Sequence, residues 1–195
     1  MKKICIDVGH AAGTGATGNG LEEHGVAVQI ATSLARYLRV SGHTVSVIDY
    51  PQLSNAADLN ATVRAINAGD YDLSVSLHCD SSDNPDACGA HVCHHRTYHN
   101  DGTYADSVQG KALAQAIAGP LCKLLPGRAD HVQARPDKKK KLSGLQVLRE
   151  TRPPAVLCEC SFITNANDAE MMERSPALIA QAIATGILDY IDHGH

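Results

Sequence analysis

Apolar positions along this chain switch repeatedly between an unbroken strand-like run and a helix-like interval of four. Ile4 to Val8 reads as a buried strand. After a glycine-rich loop from Gly13 to Gly20, Val26, Ile30, Leu34 and Leu38 mark a helix that Gly42 closes. Thr44 to Ile48 is a second strand. Asn55 can cap a helix carrying Leu59, Val63 and Ile66 and stopped by Gly69, and Leu73, Val75 and Leu77 form a third strand. Gly89 to His94 reads as another strand. Leu113, Ile117 and Leu121 predict a helix that Gly119-Pro120 bends or ends. Leu145 to Leu148 is strand or loop, Val156 to Cys160 a further buried strand, and Ser175-Pro176 opens a terminal helix with Ile179, Ile183, Ile187 and Ile191. Such alternation predicts an α/β fold: a single, mostly parallel, twisted sheet with helices on both faces. Two long loops, Asp80 to Cys88 and Pro126 to Ser143, are expected to rim the sheet edge where strands end.

Composition narrows the class. The 195 residues suit one domain, residues 1–195, with one hydrophobic core. A net charge of −4 gives no electrostatic reason to expect nucleic acid or an anionic membrane as partner, and the basic run Lys138 to Lys141 reads as a solvated loop. Seven cysteines, an odd number without framework spacing, suit a reducing compartment. Met1-Lys2-Lys3 runs straight into a strand, without a signal-peptide pattern, and no apolar stretch reaches the roughly 20 residues that span a membrane. The expectation is synthesis in the cytoplasm, with no integral membrane segment.

Chemistry gathers at strand ends. His10 follows the first strand after Gly9, His78 ends the third, and Glu159 lies in the run Ala155-Val156-Leu157-Cys158-Glu159. If these strands are parallel neighbours, their C-terminal ends share one edge, where open α/β sheets build their sites. Two imidazoles and a carboxylate there are the raw material of a zinc hydrolase. Glu22 and Glu23 offer a third ligand, although acids in a first helical turn also complement the helix dipole. A carboxylate at Glu159 is costly to bury without a partner, and a place beside the metal would let it move a proton. The plain alternative for Glu159 is a structural ion pair.

These elements resemble the zinc-dependent N-acetylmuramoyl-L-alanine amidases of the amidase-3 type, with their pattern I-D-P-G-H, G-x-x-E, S-I-H-x-N and L-x-E-x-G-F-x-T-N. Ile6-Asp7-Val8-Gly9-His10, Asn19-Gly20-Leu21-Glu22-Glu23, Ser76-Leu77-His78 and Val156 to Asn165 match in order along the chain. The resemblance implies His10, Glu23 and His78 as zinc ligands, with Glu22 the fallback, and Glu159 as catalytic acid and base. It implies cleavage of the amide joining the lactyl group of N-acetylmuramic acid to L-alanine in peptidoglycan. Val8 replaces the usual proline, Asp80 an asparagine, Ser161 a glycine, and His91 stands where the family often has Glu. If position 161 needs positive φ, the serine is strained. Phe162 and Asn165 are expected to support the strand end. Cys88, His91, Cys93, His94, His95 and His99 are not read as a second metal site, because strand alternation separates His94 from His95.

The resulting expectation is a peptidoglycan amidase acting on cell wall after release or lysis, as a phage-type endolysin or an autolysin. Its rivals are a zinc peptidase or deacylase acting on a soluble amide, and a catalytically inactive wall-binding module on the same fold.

Overall fold

The computed structural model describes residues 1–99, 101–134 and 145–194. Six strands form the central sheet: β1 (Lys3–Val8), β4 (Thr44–Ile48), β5 (Leu73–Asp80), β6 (His91–His94), β9 (Val132–Gln133) and β10 (Ala155–Phe162). Two small hairpins lie apart from it, β2 (Thr17–Gly18) with β3 (Leu21–Glu22), and β7 (Arg96–Tyr98) with β8 (Tyr104–Asp106). The helices are α1 (Glu23–Val40), α2 (Asn55–Ala68), α3 (Val108–Leu124), α4 (Gln146–Glu150), α5 (Ala166–Arg174) and α6 (Pro176–Asp192).

The sheet order is β4-β1-β5-β10-β6-β9. Strands β4, β1, β5 and β10 run parallel, β6 is antiparallel to β10, and β9 runs parallel to β6. The expected mostly parallel sheet is therefore observed, with an antiparallel margin on one side. Strand alternation sorts the residues onto two faces. Ile4, Ile6, Val75, Leu77, Val156 and Cys158 bury into the large core with α1, α3 and α6, whereas Cys5, Cys93, Ala155 and Leu157 join a smaller cluster with α2 and α4.

Several local expectations need correction. Asn55 does not cap α2: Ser54 occupies the cap position, and Asn55 is the first helical residue with its side chain engaged elsewhere. Pro120 does not end α3, which runs on to Leu124 with the proline inside it. The stretch around Leu145 to Leu148 is neither strand nor loop, because Gln146–Glu150 forms the short helix α4 and buries Val147 and Leu148. The glycine-rich loop ends in β2 and the turn of the β2–β3 hairpin, made by Asn19 and Gly20 with φ of 51° and 80°, the paired positive values of a tight hairpin turn. The loop after Asp80 lies at the strand ends as expected. The second long loop holds β9 and brings Arg128 within 3.5 Å of Asp80 at the same edge, while Lys138 to Lys141 lie outside the described residues. All seven cysteines are free thiols, and six of them are buried. Among the described residues no helix is long and apolar enough to cross a membrane.

Helices α3 and α6 approach closely at Gly186. A Cβ built on Gly186 would lie 2.4 Å from the Ile117 Cα and 2.5 Å from the Ala116 carbonyl oxygen. Alanine there would gain about 1 kcal/mol of helix propensity. Forcing a packed crossing apart costs about 1–3 kcal/mol, and backbone atoms cannot rotate away as a side chain can. Gly186→Ala should therefore lower the urea midpoint and Tm. An unchanged or raised midpoint would contradict this packing.

Candidate metal centre

Register brings the site together. In the parallel pairs, Val8 lies opposite Leu77 and Glu159 opposite His78, so β1, β5 and β10 deliver their ends to one edge. The Gly9 N–H extends the ladder by donating to the Leu77 carbonyl at 2.9 Å. The chain then turns sharply at His10, whose φ of 61° is unusual for a residue with a Cβ. Gly9 has no such latitude, since a Cβ there would meet the His78 ring at 2.5 Å.

Glu23 is the first residue of α1 and is 2% exposed. Its Oε1 faces His78 Nδ1 at 3.0 Å and accepts from the Cys79 N–H at 2.9 Å; its Oε2 accepts from the Ala16 N–H at 2.7 Å and lies 3.6 Å from His10 Nε2. Burial alone pushes this carboxyl up, but the bonds from His78, Ala16 and Cys79 outweigh it and hold it below the usual carboxylate range. Burial likewise opposes charge on His78, yet Glu23, Glu159 and Asp7 together raise its pKa. The two imidazoles meet edge to face, 4.9 Å between ring centres.

His10, Glu23 and His78 can each offer one ligand atom with all three atoms within 4.8 Å of one another. Among the described residues no other group of His, Cys, Asp and Glu does so, and the His- and Cys-rich stretch from Cys88 to His99 forms no second centre. Glu22 is committed elsewhere, accepting a hydrogen bond from the Gly13 N–H. The donor set of two imidazoles and one carboxylate matches an open divalent centre of the catalytic kind.

Glu159 stands next to this group, 8% exposed and lining the same cleft as His10 and His78. On its other side the antiparallel register sets buried His91 opposite it, giving a row of His78, Glu159 and His91 across three strands. Two residues on, Ser161 adopts φ of 130° at a register shift between Glu159 and Phe162, so the positive φ suspected from the glycine-like position is present. The Ser161 hydroxyl donates to Asp168, and the Phe162 N–H donates to the same carboxylate at 3.1 Å. Asn165 caps α5 by accepting from the Asn167 and Asp168 N–H groups.

A family description of N-acetylmuramoyl-L-alanine amidases, Amidase_3, matches residues 4–189. The chain belongs to this amidase-3 family. It is 30% identical over 194 residues to the N-acetylmuramoyl-L-alanine amidase LytC of Bacillus subtilis (strain 168), covering 96% of this chain and 35% of LytC. It is 31% identical over 191 residues to the N-acetylmuramoyl-L-alanine amidase CwlM of Bacillus licheniformis, covering 95% of this chain and 66% of CwlM. The chain thus spans about a third of the one and just under two thirds of the other. Among solved structures, the catalytic domain of the CD27L endolysin targeting Clostridia difficile superposes with a TM-score of 0.77 at 28% identity, covering 97% of this chain and 98% of that one.

Against this amidase background, three polar residues escaped sequence reasoning. Asn55 Oδ1 accepts from His10 Nδ1 at 2.9 Å, which leaves Nε2 as the free ring nitrogen facing Glu23. Asp7 is buried with its oxygens taken by Ser76 Oγ at 2.5 Å and Thr62 Oγ1 at 3.3 Å. Asp58, on the first turn of α2, is buried beside it. Burial foremost, with the charges of Asp7 and Asp49, pushes its carboxyl up to about 6. Asn55 and Asp58 look like ordinary helix-start residues, and only their placement against His10 and the cleft shows otherwise.

The geometry predicts a clear difference between adjacent glutamates. Glu23→Ala should remove a bound divalent metal from the purified protein, whereas Glu22→Ala should retain it. Metal analysis of both variants checks this, and the reverse pattern would transfer the ligand role to Glu22.

Proposed function

We propose that this chain is a zinc-dependent amidase that hydrolyses the amide between the lactyl group of N-acetylmuramic acid and L-alanine in peptidoglycan. The observation that carries the reading is the meeting of His10, Glu23 and His78 at one sheet edge with Glu159 set directly beside His78. Family membership supports the same substrate. His10, Glu23 and His78 are the residues that would hold zinc. When bound, such an ion polarises a carbonyl and acidifies water toward neutral pH.

The chain's own residues supply the rest. His78 would hold the ion through a ring nitrogen that carries no proton, and Glu23, 3.0 Å from its Nδ1, fixes the ring in place. Asn55 orients His10 from behind. Glu159, close to the reacting carbonyl but outside the ligand set, takes a proton from the attacking water and returns it to the departing L-alanine nitrogen. The Glu159 carboxylate is set by the β10 register on one side and by the turn at Ser161 on the other. Action on the cell wall, as an endolysin or an autolysin does, follows from this substrate.

Digestion of purified sacculi, with metal analysis of the same preparation, tests substrate and metal together. The expected result is release of L-alanine amino groups and about one zinc per chain. Cleavage of short soluble amides with intact sacculi would favour the peptidase reading instead. Glu159→Gln keeps the shape of the side chain but cannot accept the proton. It should remain folded and zinc-loaded while turnover falls by about 10²-fold or more. Loss of zinc in this variant would make Glu159 a ligand, and near-normal turnover would remove it from the mechanism.

A further inference from the structure

Beside the metal centre a cleft of about 230 Å³ opens between the strand ends and helices α2 and α4. Its lining is mixed: Leu59, Val147 and Leu157 make part of it apolar, while Asp7, Asp58 and Glu159 make part of it acidic, and no lysine or arginine among the described residues lines it. Both Asp7 oxygens already accept hydroxyl hydrogen bonds. Asp58 is 5% exposed, and its Oδ1 is buried with no hydrogen-bond partner. A buried acceptor left unmade is destabilising, and in a native fold it calls for an explanation.

An occupant suited to this lining brings one hydrogen-bond donor on a small apolar body. A carboxylate would be repelled by the acidic residues, and an ammonium would have to shed water against the leucines and valine. A bare hydrocarbon group would leave Asp58 without a donor. An N-acetyl group meets both requirements at once. In the proposed substrate one is carried on the sugar carbon next to that bearing the lactyl group, on the acyl side of the scissile bond. Resting on the amidase reading, we infer that this cleft is the subsite for the 2-acetamido arm of the muramoyl unit. Its N–H donates to the Asp58 carboxylate, and its methyl lies against Leu59, Val147 and Leu157. Asp58 is thus a specificity-determining residue.

The experiment compares two substrates and two proteins. One substrate is a soluble N-acetylmuramoyl-L-alanyl peptide, and the other is its 2-acetoxy analogue, which keeps the methyl and carbonyl but lacks the N–H. The zinc-loaded wild-type protein should use the analogue at least about tenfold less efficiently, with the loss in KM, because the analogue leaves a buried charged acceptor unpaired. Asp58→Leu should reduce that discrimination to about twofold or less while metal content stays the same and Tm is equal or higher. If Asp58→Leu does not fold, Asp58→Ala removes the acceptor without filling the cleft and is read in the same way. A wild type active on the acetylated peptide but indifferent to the swap overturns the subsite alone. So does a variant that keeps the discrimination, or one that loses metal and so places Asp58 behind His10. A wild type inert on both sacculi and the acetylated peptide overturns the amidase reading and the subsite with it.

Discussion

The buried carboxylate of Glu23 is the interaction on which the site depends. Taking a carboxylate out of water is costly unless hydrogen bonds replace its hydration. Here the replacements come from three separate parts of the chain: the Ala16 N–H before the β2–β3 hairpin, the Cys79 N–H on β5, and the His78 ring. Because the acceptor must be satisfied from all three, it fixes the start of α1 against the end of β5 and folds the intervening loop over both. His10 Nε2 is then held 3.6 Å from the remaining edge of the same carboxylate. The carboxylate that the fold must satisfy for its own stability is thus also the one that offers a ligand atom beside two imidazoles.

Stability and chemistry are divided between the two faces of the sheet. The face toward α1, α3 and α6 is continuously apolar, with Ile4, Ile6, Val75, Leu77, Val156 and Cys158. The other face carries Asp7, Ser76, His78 and Glu159 at the positions between them, beside a much smaller apolar cluster. Period-two alternation makes this division possible within single strands, since Ile6, Leu77 and Cys158 of the core stand next to Asp7, His78 and Glu159 of the site. The larger core can bear the cost of polar groups such as Asp7 and Asp58 on the opposite face.

Backbone strain marks both ends of the site. His10 at φ 61° and Ser161 at φ 130° hold conformations that favour glycine, and each is kept there by partners of its side chain, Asn55 for the first and Asp168 for the second. The serine in particular shows how a departure from the family pattern is tolerated. Its hydroxyl adds a bond to the carboxylate that already accepts from the Phe162 N–H, so the bulge that aims Glu159 is tied to α5.

Much of this protein was legible in its sequence, and the reason is local. Strands such as Ile4 to Val8 and Val156 to Cys160 are short apolar runs, and α1 and α6 repeat apolar residues at four-residue intervals, so local patterning alone predicts them. His10, His78 and Glu159 were legible for the same reason, as polar residues at the ends of such runs. Of the two outcomes expected at Pro120, ending the helix does not occur: a proline weakens a helix locally, whereas burial of Leu113, Ile117 and Leu121 carries α3 through it. Leu145 to Leu148 is too short for any period to show. The family motif favoured Glu23 over Glu22, while residue patterning alone left both open, because adjacent helix-start acids differ only in which side they face: one meets His78, the other the Gly13 N–H. Asn55 and Asp58 needed the fold. Their partners and surroundings lie across long stretches of chain, and no local pattern records what a side chain will find there once the sheet has brought three strand ends together.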